Sequence, residues 1–365
     1  MLRAGRLNIT LDGQFGSTGK GLLNAYIALT AAQKPDICIS NAAPNAGHTY
    51  VDPASGDKRT TFHLPVSGVL CPDSLIYLCA ASIIDPDLLA REIADFAIDP
   101  ARIIIHPRAA ILLPEHAARE MDGASGTTTL ASTRKGVGAA LADKIARHAG
   151  PRTAAQYYSG HSHGFSIRTL DLDHDLLRGM TALMEVPQGF GLSINHGLSY
   201  PHCTSRDLTV AAALNDAGVH PAHLGHVTVS LRTFPIRVGN ITDDRGLEIG
   251  HSGPFYHDSV ELGWDDLGVM PERTTVTKRI RRIATFSQHQ YADMLRQLRP
   301  DTVLLNFCNY LRSVQETQDL LDAMRITEKH CGVSPAHLYG LGPACGDIHA
   351  VSDAQALWQL VKARQ

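Results

Sequence analysis

A glycine-rich run, Gly13-Gln14-Phe15-Gly16-Ser17-Thr18-Gly19-Lys20-Gly21, separates an apolar stretch from an amphipathic one. Such a run can cradle phosphate, because backbone N–H groups and a helix N-terminus face the anion and Lys20 adds a point charge. It departs from the P-loop pattern: Gln14 stands where glycine is expected, and Gly21 where Ser or Thr follows the lysine. On its own the run is equally a tight strand–helix turn carrying an incidental lysine. Further on, Arg279, Arg281 and Arg282 crowd a short stretch beside Thr277. A charge run is ordinarily solvated surface, yet guanidinium forks are the best cationic match for a dicarboxylate. His48 follows a glycine near Asn45 and, on residue type alone, reads as a loop-capping histidine. His161-Ser162-His163 offers too few ligands for zinc and reads as a loop.

Regular elements must hold these groups. Leu7-Asn8-Ile9-Thr10-Leu11 reads as a short strand before the glycine run, and residues 20–32 as the helix that the run opens. Residues 37–40, 75–79, 103–105, 227–231 and 303–305 are further buried-strand candidates. Residues 86–97 suit an amphipathic helix with Pro86 near its start. Strand–helix alternation predicts an α/β fold: a central, mostly parallel sheet covered by helices, with the phosphate loop after the first strand. No repeat, low-complexity tract or proline-rich linker breaks residues 1–365, so a single large domain is expected. Long functional loops are expected near 40–70, 121–138, 155–166, 186–206 and 270–286.

Composition excludes several classes. With 365 residues, 44% apolar and 19% charged, the chain can bury a sizeable core and is not disordered, collagenous or a coiled coil. A net charge of −3 gives no basic excess for nucleic acid. No apolar run approaches the ~20 residues that span a bilayer, and the start lacks a secretory apolar region. Seven scattered cysteines without a C-x-x-C pair read as reduced thiols. The expectation is a cytoplasmic protein with neither membrane nor nucleic acid as partner.

Taken with segments downstream, the glycine run resembles the signature of the adenylosuccinate synthetase family. That signature reads Gly-Asp-Glu-Gly-Lys-Gly where this chain has Gly16-Ser17-Thr18-Gly19-Lys20-Gly21. The resemblance continues in the family's order through Asn45-Ala46-Gly47-His48-Thr49, Thr61-Phe62-His63-Leu64-Pro65-Val66-Ser67-Gly68, Ser132-Thr133, Gly136-Val137-Gly138 and Asp143-Lys144-Ile145-Ala146-Arg147. It resumes at Glu185, Gln188-Gly189, His196-Gly197, Tyr200-Pro201 and Thr204-Ser205, then at the arginine stretch and Gly342-Pro343. What it implies is a ligase that phosphorylates a purine 6-oxygen and then displaces the phosphoryl group with the α-amine of aspartate. It assigns the glycine run, with Lys20, to a nucleoside triphosphate and Gly342-Pro343 to that nucleotide's base. It assigns Asn45, Ser132, Thr133, Thr204 and Arg147 to the 5′-phosphate of a purine monophosphate. Arg147 would reach across a homodimer, although Asp143 also makes it a candidate i,i+4 ion pair. Gln188, a donor and an acceptor, would read the N1/O6 edge, and His48 would donate to the 6-oxygen as charge develops. Thr277, Arg279 and Arg281 would grip aspartate. The carbonyl of Gly47 and the residue at 17 would hold Mg²⁺, a hard ion that takes oxygen ligands.

Two departures carry information. The family's catalytic aspartate is Ser17 here, and a positioned general base is worth ~10²–10⁴ in rate. Guanine carries a 2-amino group beside N1, and a short hydroxyl both makes room for it and accepts one of its protons. In this the chain resembles the family's phage-type branch, which joins aspartate to dGMP on the way to diaminopurine DNA. The alternatives are ordinary synthesis from IMP with GTP, and a catalytically silent nucleotide binder. The second departure lies at Leu305-Asn306-Phe307-Cys308-Asn309, where the family reads guanine through Lys-x-Asp. With no carboxylate here, an asparagine, taken as Asn306, suits an adenine edge, so ATP or dATP is expected as phosphoryl donor. If Ser17 sets the acceptor, Ser17→Asp raises turnover of IMP relative to dGMP. An unchanged ratio in a phosphate-release assay refutes that.

Overall fold

A computed structural model of the chain describes residues 1–121, 130, 133–160, 163–243, 245, 247–274 and 278–364. Its spine is a ten-stranded sheet. Numbering only this sheet, the strands are β1 (Leu7–Asp12), β2 (Ile37–Ser40), β3 (Leu75–Leu78), β4 (Ile103–Ile105) and β5 (Ser166–Ile167). They continue with β6 (Ala182–Glu185), β7 (Leu224–Arg232), β8 (Thr302–Asn306), β9 (Ala336–Gly340) and β10 (Ile348–His349). Their spatial order is β10-β9-β8-β7-β1-β6-β2-β3-β4-β5. Every neighbouring pair is parallel except β9–β10. The six residues of β1 are all buried, as a parallel strand covered on both faces must be. Leu7, Ile9 and Leu11 join Ile39, Met184, Val229 and Leu305 in the main core cluster.

This order puts the first strand mid-sheet, flanked by β6 and β7. Asp12, Ser40, Glu185, Arg232 and Asn306 all end their strands, and because the strands run parallel these residues line one edge. Ligands of open α/β sheets bind outside that edge. Helix α1 (Lys20–Thr30) begins there, directly after the glycine run.

Two expected loops hold regular structure. Within 40–70, His48–Val51 pairs antiparallel with Lys58–Thr61, and helix α2 (Val66–Leu70) follows. The hairpin is polar and only partly buried, so it shows no apolar alternation to read. Within 270–286, Arg282–Ala284 pairs with Ile236–Arg237 and with Glu261–Leu262 in a three-stranded antiparallel sheet. His161 and Ser162 lie outside the described residues. The seven cysteines are free thiols. Among the described residues, no helix is long and apolar enough to cross a membrane.

Helix α3 (Pro86–Asp95) carries a buried acid that props the segment leading into α2. Glu92 accepts from the Phe62 N–H at 2.6 Å and the His63 N–H at 2.8 Å. Burial outweighs these bonds and pushes its pKa up to about 7. Between the ordinary carboxylate value and 7, folded protein therefore binds more protons than unfolded, and stability drains away as pH rises. Burial depresses neighbouring His63 to about 4, which gives the opposite slope in any variant that keeps it. Glu92→Gln removes only the first effect. It lowers the melting temperature most near pH 5, and the gap from the parent closes by roughly 5 °C at pH 8. A gap independent of pH in paired melts disproves the assignment.

Candidate active site

The phosphate loop is built on a buried carboxylate. Asp12, at the end of β1, accepts from the Gln14 N–H at 2.8 Å and the Gly16 N–H at 3.3 Å through one oxygen. The other oxygen takes the Thr18 N–H at 3.3 Å, the Thr18 hydroxyl at 2.6 Å and Lys20 Nζ at 3.3 Å. Lys20 also donates to the Gln188 carbonyl. The loop passes through a left-handed residue at Ser17 (φ 57°), whose side chain stands exposed. Close approach fixes two glycines. A Cβ at Gly21 would lie 2.1 Å from the Thr49 carbonyl oxygen, so only glycine lets α1 meet the hairpin strand carrying His48. A Cβ at Gly189 would lie 2.4 Å from the Gly16 nitrogen, so only glycine lets the Gln188 turn lie against the loop.

A cavity of about 250 Å³ opens over this floor. Its wall includes Gly16, Ser17, Lys20, Asn45, Gly47, His48, Thr133, Gln188, Thr204, Arg279 and Arg281. The structure thus unites the four residues expected to act in catalysis, Ser17, Lys20, His48 and Gln188, with most of the expected monophosphate and aspartate sets. His48 Nδ1 faces Glu185 at 3.4 Å, while its Nε2 is buried without a partner among the described residues. Glu185, at the end of β6, is held by the Val66 N–H at 3.1 Å, and by the Ser67 N–H and hydroxyl at 2.8 Å each. A carboxylate on one ring nitrogen fixes the ring and leaves the other for a ligand. Gln188 is also left-handed (φ 66°). Non-glycine residues in this conformation cluster at functional sites.

The crowded arginines separate by role. Arg282 is spent on structure, with two bonds to Glu261 at 2.6 Å, one to the Ser252 hydroxyl and one to the Gly253 carbonyl. Arg237, not singled out from the sequence, lines the cavity but donates to the carbonyls of Ser252, Pro254 and His202. The guanidinium of Arg281 makes no hydrogen bond to a described residue. Burial brings it down to about 10. Arg279 donates to the Gly239 carbonyl at 3.2 Å.

Other expected residues sit elsewhere. The Thr18 side chain faces inward, between Asp12 and Ser230 Oγ at 2.5 Å. Gly19, Gly21, Gly342 and Pro343 are outside the cavity wall, the last two in the turn after β9. Arg147 is exposed and away from the cavity, at the left-handed C-cap of the helix Val137–Ala146. Its expected i,i+4 partner, Asp143, instead meets His116, Arg119, His148 and Arg152. Asn306 is not part of the cavity wall. Its amide is buried and engaged, with Oδ1 accepting from Phe307 N–H at 2.9 Å and Nδ2 donating to the Thr18 carbonyl at 3.3 Å. Both amide atoms thus meet the protein, and Asn306 buttresses the loop. Ser132 and Thr277 lie outside the described residues.

Ser17 and Gly47, the expected cation ligands, both line the cavity, among other residues with neutral oxygens. Asp12 has no oxygen to spare. Neutral oxygens fit Mg²⁺, which keeps several waters and binds largely through substrate phosphates. The one group of three metal-ligating side chains found among the described residues, His257, Asp258 and His289, is not part of the cavity wall.

A family model for adenylosuccinate synthetase matches residues 9–159. The N6-succino-2-amino-2′-deoxyadenylate synthase of Salmonella phage PMBT28 is 37% identical, over 94% of this chain and 97% of its own. The adenylosuccinate synthetase of Pyrococcus sp. (strain ST700) is 31% identical over 76% of each chain. The solved structure of the cyanophage S-2L succinoaminodeoxyadenylate synthetase, bound to dGMP and dATP as an energy donor, matches at TM-score 0.86 and 35% identity over 100% of both chains. Adenylosuccinate synthetase from Plasmodium falciparum shares the fold, at TM-score 0.75 and 18% identity over 95% of this chain and 100% of its own.

The contrast between the arginines is testable. Arg281→Gln weakens binding of aspartate or another dicarboxylate by about 10–100-fold, the worth of charge-assisted hydrogen bonds, and leaves the melting temperature near the parent's. Arg282→Gln mainly lowers the melting temperature. Calorimetric titration beside thermal melts separates the two, and equal effects on binding defeat the distinction.

Proposed function

The chain belongs to the adenylosuccinate synthetase family, and on that premise we propose that it joins L-aspartate to C6 of dGMP, with ATP or dATP as phosphoryl donor. The product is N6-succinyl-2-amino-2′-deoxyadenylate. The observation that carries this reading is the exposed Ser17 hydroxyl on the cavity wall, at the place where the family signature has a carboxylate. The names of the phage relatives, and the dGMP and dATP in the cyanophage structure, support it.

Each residue then has a task. Lys20 and the N–H groups of the loop take the β- and γ-phosphates, held in place by Asp12. The Ser17 hydroxyl accepts a proton of the guanine 2-amino group, while the Gln188 amide meets the N1/O6 edge. Loss of the N1 proton builds negative charge on O6, which attacks the γ-phosphorus and expels ADP or dADP. Glu185 accepts from the Nδ1–H of His48 and supplies counter-charge to the ring while Nε2–H donates to the 6-oxygen. The N1 proton leaves by way of the Ser17 hydroxyl to water or a phosphate oxygen. Arg281 and Arg279 clamp the carboxylates of aspartate so that its amine faces C6, and phosphate departs as the C–N bond forms. Ser17 and the Gly47 carbonyl, with the substrate phosphates, would hold Mg²⁺, which would supply neutralising charge for the transferring group.

Asn45, Thr133 and Thr204 supply short donors for the 5′-phosphate. Arg147, exposed on its own chain, completes that site from the second subunit of a homodimer. The whole chain acts as one domain, in the host cytoplasm of a phage infection.

Phosphate release from purified protein with aspartate and ATP tests this reading. Release that requires both dGMP and aspartate, with IMP a poor substitute, is expected. Turnover with IMP alone assigns ordinary adenylosuccinate synthesis, and none with dGMP, GMP or IMP assigns a silent binder.

A further inference from the structure

A buried arginine beneath the loop has no place in that mechanism, yet it touches the parts the mechanism uses. Arg232 ends β7 and is 0% exposed. Its N–H donates to Gln14 Oε1 at 2.9 Å and its carbonyl accepts from Gln14 Nε2 at 3.1 Å, which stitches the strand end to the phosphate loop. The guanidinium reaches further. Nε donates to the Phe234 carbonyl at 3.1 Å. Nη1 donates to the Ser17 carbonyl at 3.0 Å and to Glu272 Oε2 at 3.1 Å, and Nη2 donates to Glu272 Oε1. The Phe307 ring lies 3.5 Å from the guanidinium carbon, and the Tyr310 hydroxyl donates to Glu272 at 2.9 Å.

Arg232 therefore spends its donors on protein acceptors and is no substrate ligand. Its partner sits at the root of the arginine loop, since the Arg281 N–H donates to the Glu272 carbonyl at 2.9 Å. One ion pair thus ties the carbonyl of Ser17 to the backbone of Arg281. Ser17 has φ 57°, a conformation that an L-residue keeps only when its surroundings hold it. Carbonyl and hydroxyl belong to the same residue, so fixing one fixes the arc through which the other swings.

We propose that Arg232 and Glu272 are positioning residues that aim the Ser17 hydroxyl at the 2-amino group of the purine and hold Arg281 in register with it. This rests on the reading of the cavity as a dGMP and aspartate site. Lysine at 232 keeps the charge but lacks the fork that reaches Ser17, Phe234 and Glu272 together.

Affinities for dGMP and dIMP, which differ only in the 2-amino group, read out the effect by calorimetric titration. Arg232→Lys lowers the preference for dGMP by about 5–10-fold, the size of one neutral hydrogen bond. It also raises the KM for aspartate. Glu272→Gln moves both quantities the same way and serves if the lysine variant fails to fold. A general loss of packing would weaken both nucleotides alike. In a Ser17→Ala background the preference no longer responds to Arg232→Lys, because the residue acts through the hydroxyl. A dGMP preference within twofold of the parent's in folded variants, or an undiminished response in the Ser17→Ala background, overturns the proposal. The parent protein's own dGMP- and aspartate-dependent phosphate release tests the underlying reading separately. If the parent shows that release and the variants keep their preference, only the positioning role falls.

Discussion

The carboxylate of Asp12 is the constraint on which the site depends. An ion taken out of water costs several kcal/mol unless its lone pairs are used, and here three backbone N–H groups, one hydroxyl and one ammonium use them. The Lys20 and Asp12 side chains are 4% and 0% exposed, so neither finds much help from solvent. The family signature places two acids side by side at 17 and 18, and this chain has two hydroxyl residues there. The counter-charge for Lys20 comes from below, at the end of the first strand. That frees the two hydroxyls to face opposite ways, Thr18 into the floor and Ser17 into the cavity.

The cavity above this floor is strongly cationic. Lys20, Arg237, Arg279 and Arg281 share its wall. Burial brings Arg237 and Arg281 down to about 10 each. Guanidinium groups held this close out of water invite anions, and the proposed substrates are a triphosphate, a monophosphate and a dicarboxylate. Charge alone favours all three, so the proposed reading leaves specificity among them to shape and to neutral groups such as Ser17 and Gln188.

The sheet was legible because its central strands are continuous apolar runs next to turn residues. Residues 7–11, 37–40, 103–105 and 227–231 all fall inside observed strands. The hairpin carrying His48 was not legible, because Lys58-Arg59-Thr60-Thr61 has the composition of a loop and forms a strand only against its partner. In the site, motif order pointed to Ser17, His48 and Gln188, and the cavity unites them. Asn306 shows the limit: residue type told what its amide can bond, while the Thr18 carbonyl and Phe307 N–H beside it are facts of tertiary structure. Arg281 and Arg282 were indistinguishable in sequence, because only the position of Glu261 across the small sheet decides which is occupied. Arg232 read as the polar end of a strand, and its partner lies 40 positions away.

Crowding is uneven along the glycine run. At Gly21 a single added carbon would collide with backbone, whereas at Gly16 it would meet nothing within 4 Å, and the Ser17 side chain next to it is exposed. Heritable change at codon 21 breaks the architecture, while change at codon 17 alters only what the architecture holds. On the role proposed for Ser17, a lineage can trade one nucleobase for another there without first surviving a misfolded ancestor.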